Sequence, residues 1–257
     1  MSALSRQNLL LAGGLLALGL WLWWTGTAPP PATPARLSDL DPAGVSQIRI
    51  RAPDGPFHIA LQQGTAGWRL QQPIQAPADP LSIDQILALP TQPVSARYEA
   101  AELDLADLGL APARWQLSLD GQDFAVGDTE ALSGARYVLH AGRVHLVAEL
   151  PLERFDLDHA DLVDRALCPP GITAVITPRG RLSEPGLLAR WENTRALWLD
   201  RATRDDHAAD GSSIRVELTG GGHIDFIRLQ DGLLRPDWDL VYRLPASAWA
   251  ELLPADA

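Results

Sequence analysis

Residues 114–147 read RWQLSLDGQDFAVGDTEALSGARYVLHAGRVHLV, and this stretch decides the fold. Apolar and polar residues alternate in four short runs, at 114–119, 123–126, 137–140 and 144–147. Asp120-Gly121 separates the first two runs and Ala141-Gly142 the last two. A tight hairpin turn needs glycine, Asp or Asn at such places, so the stretch predicts a meander of antiparallel strands.

The residues before this meander predict further strands and one helix. Alternating runs occur at 46–51, 57–62 and 68–71, with Pro- and Gly-containing turns between them. Asp79 suits an N-cap and Pro80 the first helical position, so a short helix is expected before Pro90. The leucines between 103 and 110 predict one or two helical turns that end in a glycine cap at Gly109.

The residues after 150 predict a second unit of similar kind. The run 172–177 is preceded by a glycine, and Gly171-Ile-Thr-Ala-Val matches Gly44-Val-Ser-Gln-Ile in residue type. A short turn follows both segments, and this pattern is consistent with two halves of similar build. Residues 186–199 have the spacing of an amphipathic helix. A hairpin at 214–219 and 223–229, a strand at 242–244 and a terminal helix complete the unit. The predicted fold class is α+β, with antiparallel β-meander sheets and short helices.

The N-terminal residues have the composition of a membrane anchor. Residues 9–24 read LLLAGGLLALGLWLWW, with no charged side chain and with tryptophans at the end, where a lipid headgroup boundary would lie. A cleaved signal peptide is the alternative, but Pro29 follows the only small-residue cleavage candidate. The predicted segments are a cytoplasmic N-terminus at 1–8, a transmembrane anchor at 9–27, a Pro-rich linker at 28–40, a first β-rich unit at 41–150 and a second, smaller α+β unit at 151–257.

The orientation of the anchor follows from the basic residues beside it. Arg6 precedes the apolar run, and the next basic residue is Arg36. The positive-inside rule therefore predicts a single-pass protein of the bacterial inner membrane, with the body in the periplasm.

The composition excludes several kinds of function. The formal net charge is −11, and all 21 basic residues are arginines. An acidic chain is a poor ligand for phosphate backbones, so no nucleic-acid partner is expected. The absence of lysine excludes Schiff-base and phosphate-loop lysines, and no nucleotide, dinucleotide or serine-hydrolase motif occurs. We therefore predict no cofactor.

The densest group of potential metal ligands is the run DLDHADLVD at 156–164, which brings Asp156, Asp158, His159 and Asp161 close together in sequence. It does not fit the calcium-loop template, because Asp161 and Leu167 stand where a glycine and a glutamate are required. Capping of a helix by Asp158 or Asp161 is the alternative explanation and the preferred one.

The remaining candidates are residue types that have common structural roles. His140 and His145 lie on either side of a hairpin turn, without a third metal ligand nearby in sequence. Residues 205–210 contain Asp and His in a segment that reads as a polar loop. Cys168, beside two prolines, suits packing. Six tryptophans of the body could include a ligand-stacking platform, but core packing is the default for most of them: Trp68, Trp115, Trp191, Trp198, Trp238 and Trp249.

Three features carry a resemblance to a known family: Leu-Asp-Leu…Leu-Gly-Leu-x-Pro within 103–112, Gly127 near the second strand of the meander, and Arg136-Tyr137-Val138 opening a hairpin. In these features the sequence resembles the DUF4340 family. Other segments that resemble the family extend the likeness over about 45–244. The resemblance implies a membrane-anchored extracytoplasmic protein, of a kind often encoded near ABC exporters of the gliding-motility type, and it supplies no catalytic residues.

An anchor joined to a body without catalytic motifs favours a non-enzymatic function. We expect an accessory or binding subunit at the inner membrane, with subunits of an ABC-type export system as partners. The alternatives are an envelope metal-dependent hydrolase built on Asp156 to Asp164, and a module that binds cell-wall glycans or peptides.

Overall fold

A computed structural model describes residues 35–51, 57–148, 158–208 and 211–253 of the chain. No helix among these residues is long and apolar enough to cross a membrane. The predicted anchor at 9–27 lies outside them, so it stays a prediction. The described residues from Arg36 onward belong to one compact unit.

The first half of the body forms a nine-stranded antiparallel sheet. Its strands are β1 Gln47–Arg51, β2 Phe57–Gly64, β3 Gly67–Gln72, β4 Ala76–Pro77, β5 Val94–Glu99, β6 Trp115–Leu119, β7 Gln122–Thr129, β8 Arg136–His140 and β9 Arg143–Val147. Their order across the sheet is β4-β3-β2-β1-β6-β7-β8-β9-β5. The predicted strands are confirmed, while β4 and β5 were not predicted.

Local turn chemistry explains the meander. Asp120 and Gly121 have φ of 44° and 85°, and Ala141 and Gly142 have 49° and 76°. Two successive residues of positive φ give the hairpin turn whose twist matches that of the flanking strands. The turns therefore bring β6 beside β7 and β8 beside β9, in the registers Leu119–Gln122 and His140–Arg143.

Helix α1, Pro80–Leu87, lies between β4 and β5 and begins where the sequence predicts. The Asp79 carboxylate accepts a hydrogen bond from the Ser82 N–H at 3.2 Å, as an N-cap does. Ile83 and Ile86, one helical turn apart, are buried in the core. The prediction for 103–110 is confirmed only as a turn, in which Gly109 adopts φ of 63° and the Leu110 N–H donates to the Leu105 carbonyl.

The second half of the body forms a seven-stranded antiparallel sheet with three helices. The strands are β10 Ile172–Thr177, β11 Gly180–Leu182, β12 Trp198–Arg201, β13 Ser213–Leu218, β14 His223–Arg228, β15 Gly232–Arg235 and β16 Leu240–Arg243, and the helices are α2 Pro185–Asn193, α3 Arg204–Ala208 and α4 Ala246–Leu252. The order is β11-β10-β13-β14-β15-β16-β12. Trp191, Phe226 and Tyr242 are its largest buried residues.

One prediction for this half is confirmed only in part, and another is wrong. The helix predicted over 186–199 ends at Asn193, because the chain then turns extended: Arg195 bridges to Ala166, and Trp198–Arg201 pairs with β16. The local pattern of apolar and polar residues in 195–201 could not reveal these long-range partners. Residues 205–208 of the segment expected to be a loop belong to helix α3 instead, and 209–210 lie outside the described residues. The Asp206 carboxylate accepts hydrogen bonds from the Thr203 N–H and hydroxyl, which favours a helical turn there.

The two sheets share one strand order. Along the chain, each half begins with a hairpin, continues with a helix and an edge strand, and ends with a four-stranded meander. In the sheet, the first strand of the meander lies beside the hairpin and the last lies beside the edge strand. The equivalent series are β2-β1-β6-β7-β8-β9-β5 and β11-β10-β13-β14-β15-β16-β12, so β3 and β4 are additions to the first sheet.

One hydrophobic core contains residues of both sheets. Two backbone contacts join the halves at the segment that precedes the second sheet: the Asp79 N–H donates to the Leu162 carbonyl, and the Asp164 N–H donates to the Pro77 carbonyl. The α+β class with two antiparallel sheets is thus confirmed for the described residues.

Candidate functional site

The acidic run contributes to the joint between the sheets. Asp158 caps the 3-10 turn His159–Leu162 by accepting the Ala160 N–H, and the His159 ring lies 2.6 Å from its carboxylate. Burial opposes ionisation of Asp158, but these contacts and Arg201 outweigh it and keep the pKa of the carboxyl below its ordinary value. The capping alternative is therefore confirmed for Asp158. The Asp161 carbonyl accepts a hydrogen bond from the Ser82 hydroxyl at 2.8 Å.

No three His, Cys, Asp or Glu side chains are grouped to hold a metal ion in the part of the chain that the structure describes. Asp156, the remaining member of the proposed ligand set, lies outside that part. The next acidic residue, Asp164, forms an ion pair of 2.7 Å with Arg195, which also reaches the buried Asp79 at 3.2 Å. Arg195 therefore links a carboxylate of the second half to the N-cap of α1 in the first.

The other sequence candidates are dispersed over the body. Cys168 is buried, and this burial raises the pKa of its thiol to about 12. His207 lies 2.7 Å from Asp239, and both side chains are exposed. Among the six tryptophans, Trp191 is buried and Trp198 is exposed. The other four are half-buried, as expected of tryptophans that pack against the core.

A groove in the first half brings together residues that the sequence does not single out. It encloses about 740 Å³ between the chain segment 37–41, here called the strap, and the ends of β5, β8 and β9. The residues that line it are Leu37, Ser38, Asp39, Leu40, Asp41, Arg97, Glu99, Gln122, His140, Ala141, Gly142, Arg143 and His145.

The strap is held by its backbone to the segment that precedes β5. The Leu37 N–H donates to the Gln92 carbonyl at 2.9 Å, and the Ser38 N–H donates to the Pro90 carbonyl at 2.8 Å. Leu37 is buried in the core, and the Ser38 hydroxyl reaches the Gln122 side chain at 3.2 Å. The strap is thus a fixed wall of the groove, although it includes the last residues of the segment predicted as linker.

The floor of the groove continues the core face of the sheet. Cross-strand pairing produces one row across seven strands, in which four apolar residues give way to polar ones at β8: Ile59, Ile50, Leu117, Phe124, His140, Arg143 and Glu99. Paired residues of an antiparallel sheet point to the same face. The groove is therefore the end of the core face at which apolar side chains no longer fill the space.

His140 and His145 both line this groove. The His140 ring stacks on Phe124 with centroids 4.2 Å apart, and its Nδ1 lies 2.9 Å from the Asp123 carbonyl oxygen. His145 is only 4% exposed, and its Nδ1 has no hydrogen-bond partner. Burial, and then the nearby Arg97, lower the pKa of His145 to about 4, although a hydrogen bond with the His140 carbonyl opposes this shift. The ring is therefore neutral near pH 7, and its Nδ1 is enclosed without a partner.

The rim of the groove carries both signs of charge. Asp39 and Asp41 belong to the strap, while Arg97 and Arg143 lie on β5 and β9. Glu99 accepts a hydrogen bond from Arg143 at 2.9 Å across those two strands. Opposite walls thus provide acceptors and donors.

The second half has Tyr242 at the position equivalent to that of His145. His145 lies between Val138 and Arg97, and Tyr242 occupies the same place between Leu233 and Leu199. Tyr242 is fully buried, and its hydroxyl is the other buried side-chain atom without a hydrogen-bond partner in the described part of the chain. Leu233 and Val138 are both buried, so the two halves differ chiefly at the edge strand, where the second half has the buried Leu199 and the first half the exposed Arg97.

Sequence reasoning missed this groove because its residues come from four distant segments. Polar residues at every second position of β5 and β9 indicate a solvent-exposed face, as they do in any half-buried strand. The unusual feature is His145, which belongs to the inward row, but only the sheet pairing reveals that. His140 and His145 were correctly placed on either side of a hairpin turn, and the structure pairs them with Arg143 and Val138 respectively.

Comparisons with known proteins give a family assignment. A family model described as "Domain of unknown function (DUF4340)" matches residues 68–207, which is more than half of the 257 residues. The match confirms the resemblance found in the sequence. No curated protein and no solved structure matches the chain.

Proposed function

The chain belongs to the DUF4340 family, and from this we propose that it is a membrane-anchored periplasmic accessory subunit of an ABC-type export system that binds rather than catalyses. The apolar run 9–24 and the family resemblance support the location and the partner. The groove supports the binding role, and it is the observation on which the proposal chiefly rests.

The comparison of the two halves is the reason for choosing the groove. One scaffold occurs twice, and the second copy has the buried, apolar Leu199 beside Tyr242 where the first copy has the exposed Arg97 beside His145. Buried apolar area stabilises a fold by about 25 cal/mol per Å². The first copy instead keeps an open space lined mostly by polar side chains. Such a local departure from good packing is typical of a binding site.

The polar groups described in the body have structural roles that suit a binding protein. The only thiol of the chain, Cys168, is buried with a raised pKa and is therefore a poor nucleophile. Asp158, Asp164 and Arg195 take part in a cap and in ion pairs that join the halves. Their side chains stabilise the joint.

Affinity purification tests the proposal. The full-length protein, tagged at its C-terminus, is cross-linked in intact cells and purified from solubilised membranes. We expect subunits of an ABC transporter to be enriched over a control in which residues 9–27 are replaced by an unrelated membrane anchor and residues 36–257 by an unrelated periplasmic domain. Recovery of no transporter subunit, from membranes in which another transporter complex stays intact, would refute it.

A second candidate function has one specific observation in its favour. Trp198, at the start of edge strand β12, is 52% exposed. Its indole N–H donates to the Asp200 carboxylate at 3.2 Å, and Arg243 is its partner on β16. A fixed aromatic face beside polar groups suits a sugar ring. A titration with soluble peptidoglycan fragments, followed by tryptophan fluorescence, is expected to give a saturable change that the variant Trp198→Phe abolishes; equal changes in both proteins would count against a glycan site at this tryptophan.

A further inference from the structure

We propose that the groove binds an extended peptide segment through the peptide's main chain. This inference deepens the proposed function and rests on it, since the peptide would belong to the membrane partner. The groove is the place in the described chain where a buried unpaired side-chain nitrogen and an open cavity coincide. Its volume of about 740 Å³ is that of a site for a ligand of several residues.

The polar groups of the groove match a main chain. His145 lines the groove, but its Nδ1 has almost no accessible surface, so the polar groups that a ligand meets first are those of the two walls. Carboxylates of the strap add acceptors on one wall, while Arg97 and Arg143 add donors on the other. An extended peptide presents N–H and C=O groups alternately to both sides, so it satisfies both walls at once.

The edge strand beside the groove favours the same ligand. β5 is the last strand of its sheet and is six residues long; β9 pairs with one side of it, and on the other side Arg36 bridges to Pro93 just before the strand begins. The Ala100 N–H donates to the Gly142 carbonyl on the β9 side, so by alternation the main-chain groups of Arg97 and Glu99 point outward. A peptide strand can add to this edge with its side chains over the groove.

Other ligand classes fit the groove less well. Three carboxylates, from Asp39, Asp41 and Glu99, outnumber the two guanidinium groups on its rim, which disfavours a polyanion. The lining contains no Trp, Tyr or Phe on which a sugar ring could stack. A peptide needs neither an excess of cations nor an aromatic platform.

Selection from a displayed peptide library tests this inference. The full-length protein in lipid nanodiscs is panned against random decapeptides on phage, and the enriched peptides are synthesised. Two groove variants are compared with the wild type: Gln122→Trp, which places a large side chain at the exposed rim, and His145→Phe, which removes a polar ring from the lining. The matched control is Gln62→Trp, an equally exposed change on β2 away from the groove.

We expect enriched peptides to bind the wild type and the Gln62→Trp control equally. Both groove variants should bind at least about tenfold more weakly, as loss of a buried contact at the centre of a site does. N-methylation of individual amides should abolish binding at alternate positions. Failure to enrich peptides over the Gln122→Trp protein, or binding that survives N-methylation at every amide, would overturn the inference.

A parallel purification separates this inference from the proposed function. The Gln122→Trp protein is cross-linked in cells and purified as before. Recovery of transporter subunits with this variant at wild-type levels overturns the groove as the peptide site but leaves the proposed function intact. Loss of those subunits in Gln122→Trp and not in Gln62→Trp supports both.

Discussion

Replacement of Gly127 by alanine is expected to destabilise the first sheet more than any ordinary strand substitution. Gly127 lies in β7, where the Leu103–Leu110 segment crosses the outer face of the sheet. A Cβ atom at this position would overlap the Leu108 carbonyl oxygen and lie 2.9 Å from Leu110 Cγ. The oxygen belongs to backbone that the Asp128 N–H holds by a hydrogen bond of 2.9 Å, so it cannot move without losing that bond.

The size of the effect follows from these two consequences. Overpacking in a well-filled region costs about 1–3 kcal/mol, and leaving a buried backbone group unpaired costs about 1–3 kcal/mol. We expect a total of about 3 kcal/mol. For a chain of this size, about 1 kcal/mol lowers Tm by 2–4 °C, so Gly127→Ala should lower Tm by about 6–12 °C.

Thermal unfolding of the full-length protein in detergent, followed by tryptophan fluorescence, measures this difference. Gly186→Ala is the matched control, because Gly186 lies in α2 with no atom near its missing Cβ. Alanine favours a helix over glycine, so the control should keep or raise Tm. If Gly127→Ala changes Tm as little as the control does, the contact between the Leu103–Leu110 segment and β7 does not exist as described.

Three further predictions concern charge and reactivity. His145 should make the unfolding free energy of the wild type fall by about 2 kcal/mol as the pH falls from 6.5 to 4. The reason is that His145 is protonated first in the unfolded state, while the folded ring stays neutral down to pH about 4. Urea titrations at each pH measure this loss, and His145→Phe should lack it. Cys168 should not react with a maleimide at pH 8 in the folded protein and should react fully in urea, since burial raises its pKa to about 12; rapid labelling of the native protein would contradict this. Arg195→Ala should lower the unfolding free energy by about 2 kcal/mol, because it leaves the buried Asp79 with one fewer partner. The control is Arg201→Ala. Arg201 lies 3.6 Å from Asp158 and its side chain is 65% exposed, so this change should alter the unfolding free energy by less than about 0.5 kcal/mol.

Local features of the fold could be read from the sequence because their signals lie within a few residues. The hairpins at 120–121 and 141–142 depend on residues that tolerate positive φ, and those residues are neighbours in the chain. The N-cap at Asp79 and the proline at position 80 define the start of α1 in the same way. Gly127 was noted as a mark of the family, but its function as a contact point for Leu108 appears only when β7 and the Leu103–Leu110 segment are seen together.

Long-range pairing was outside the reach of sequence patterns. Edge strand β5 pairs with β9, more than forty residues away along the chain, and β12 pairs with β16 in the same manner. Nothing near 94–99 or 198–201 identifies these partners, so one strand was missed and the other was assigned to a helix. The shared strand order of the two sheets is likewise visible only in three dimensions, since the sequence similarity between the halves is confined to one short segment.

The sequence by itself determined the antiparallel β-meander character of the body, the helix at Asp79, the absence of lysine and nucleotide chemistry, and the family. Turn residues, caps and composition act locally, so a linear sequence records them. Only the tertiary structure decided which polar residues share a site. His145 and Arg97 reach the groove because β9 pairs with β5, and Asp39 reaches it because Leu37 holds the strap in the core. The direction of a strand's side chains relative to the core depends on its partners, and partners are a property of the folded chain.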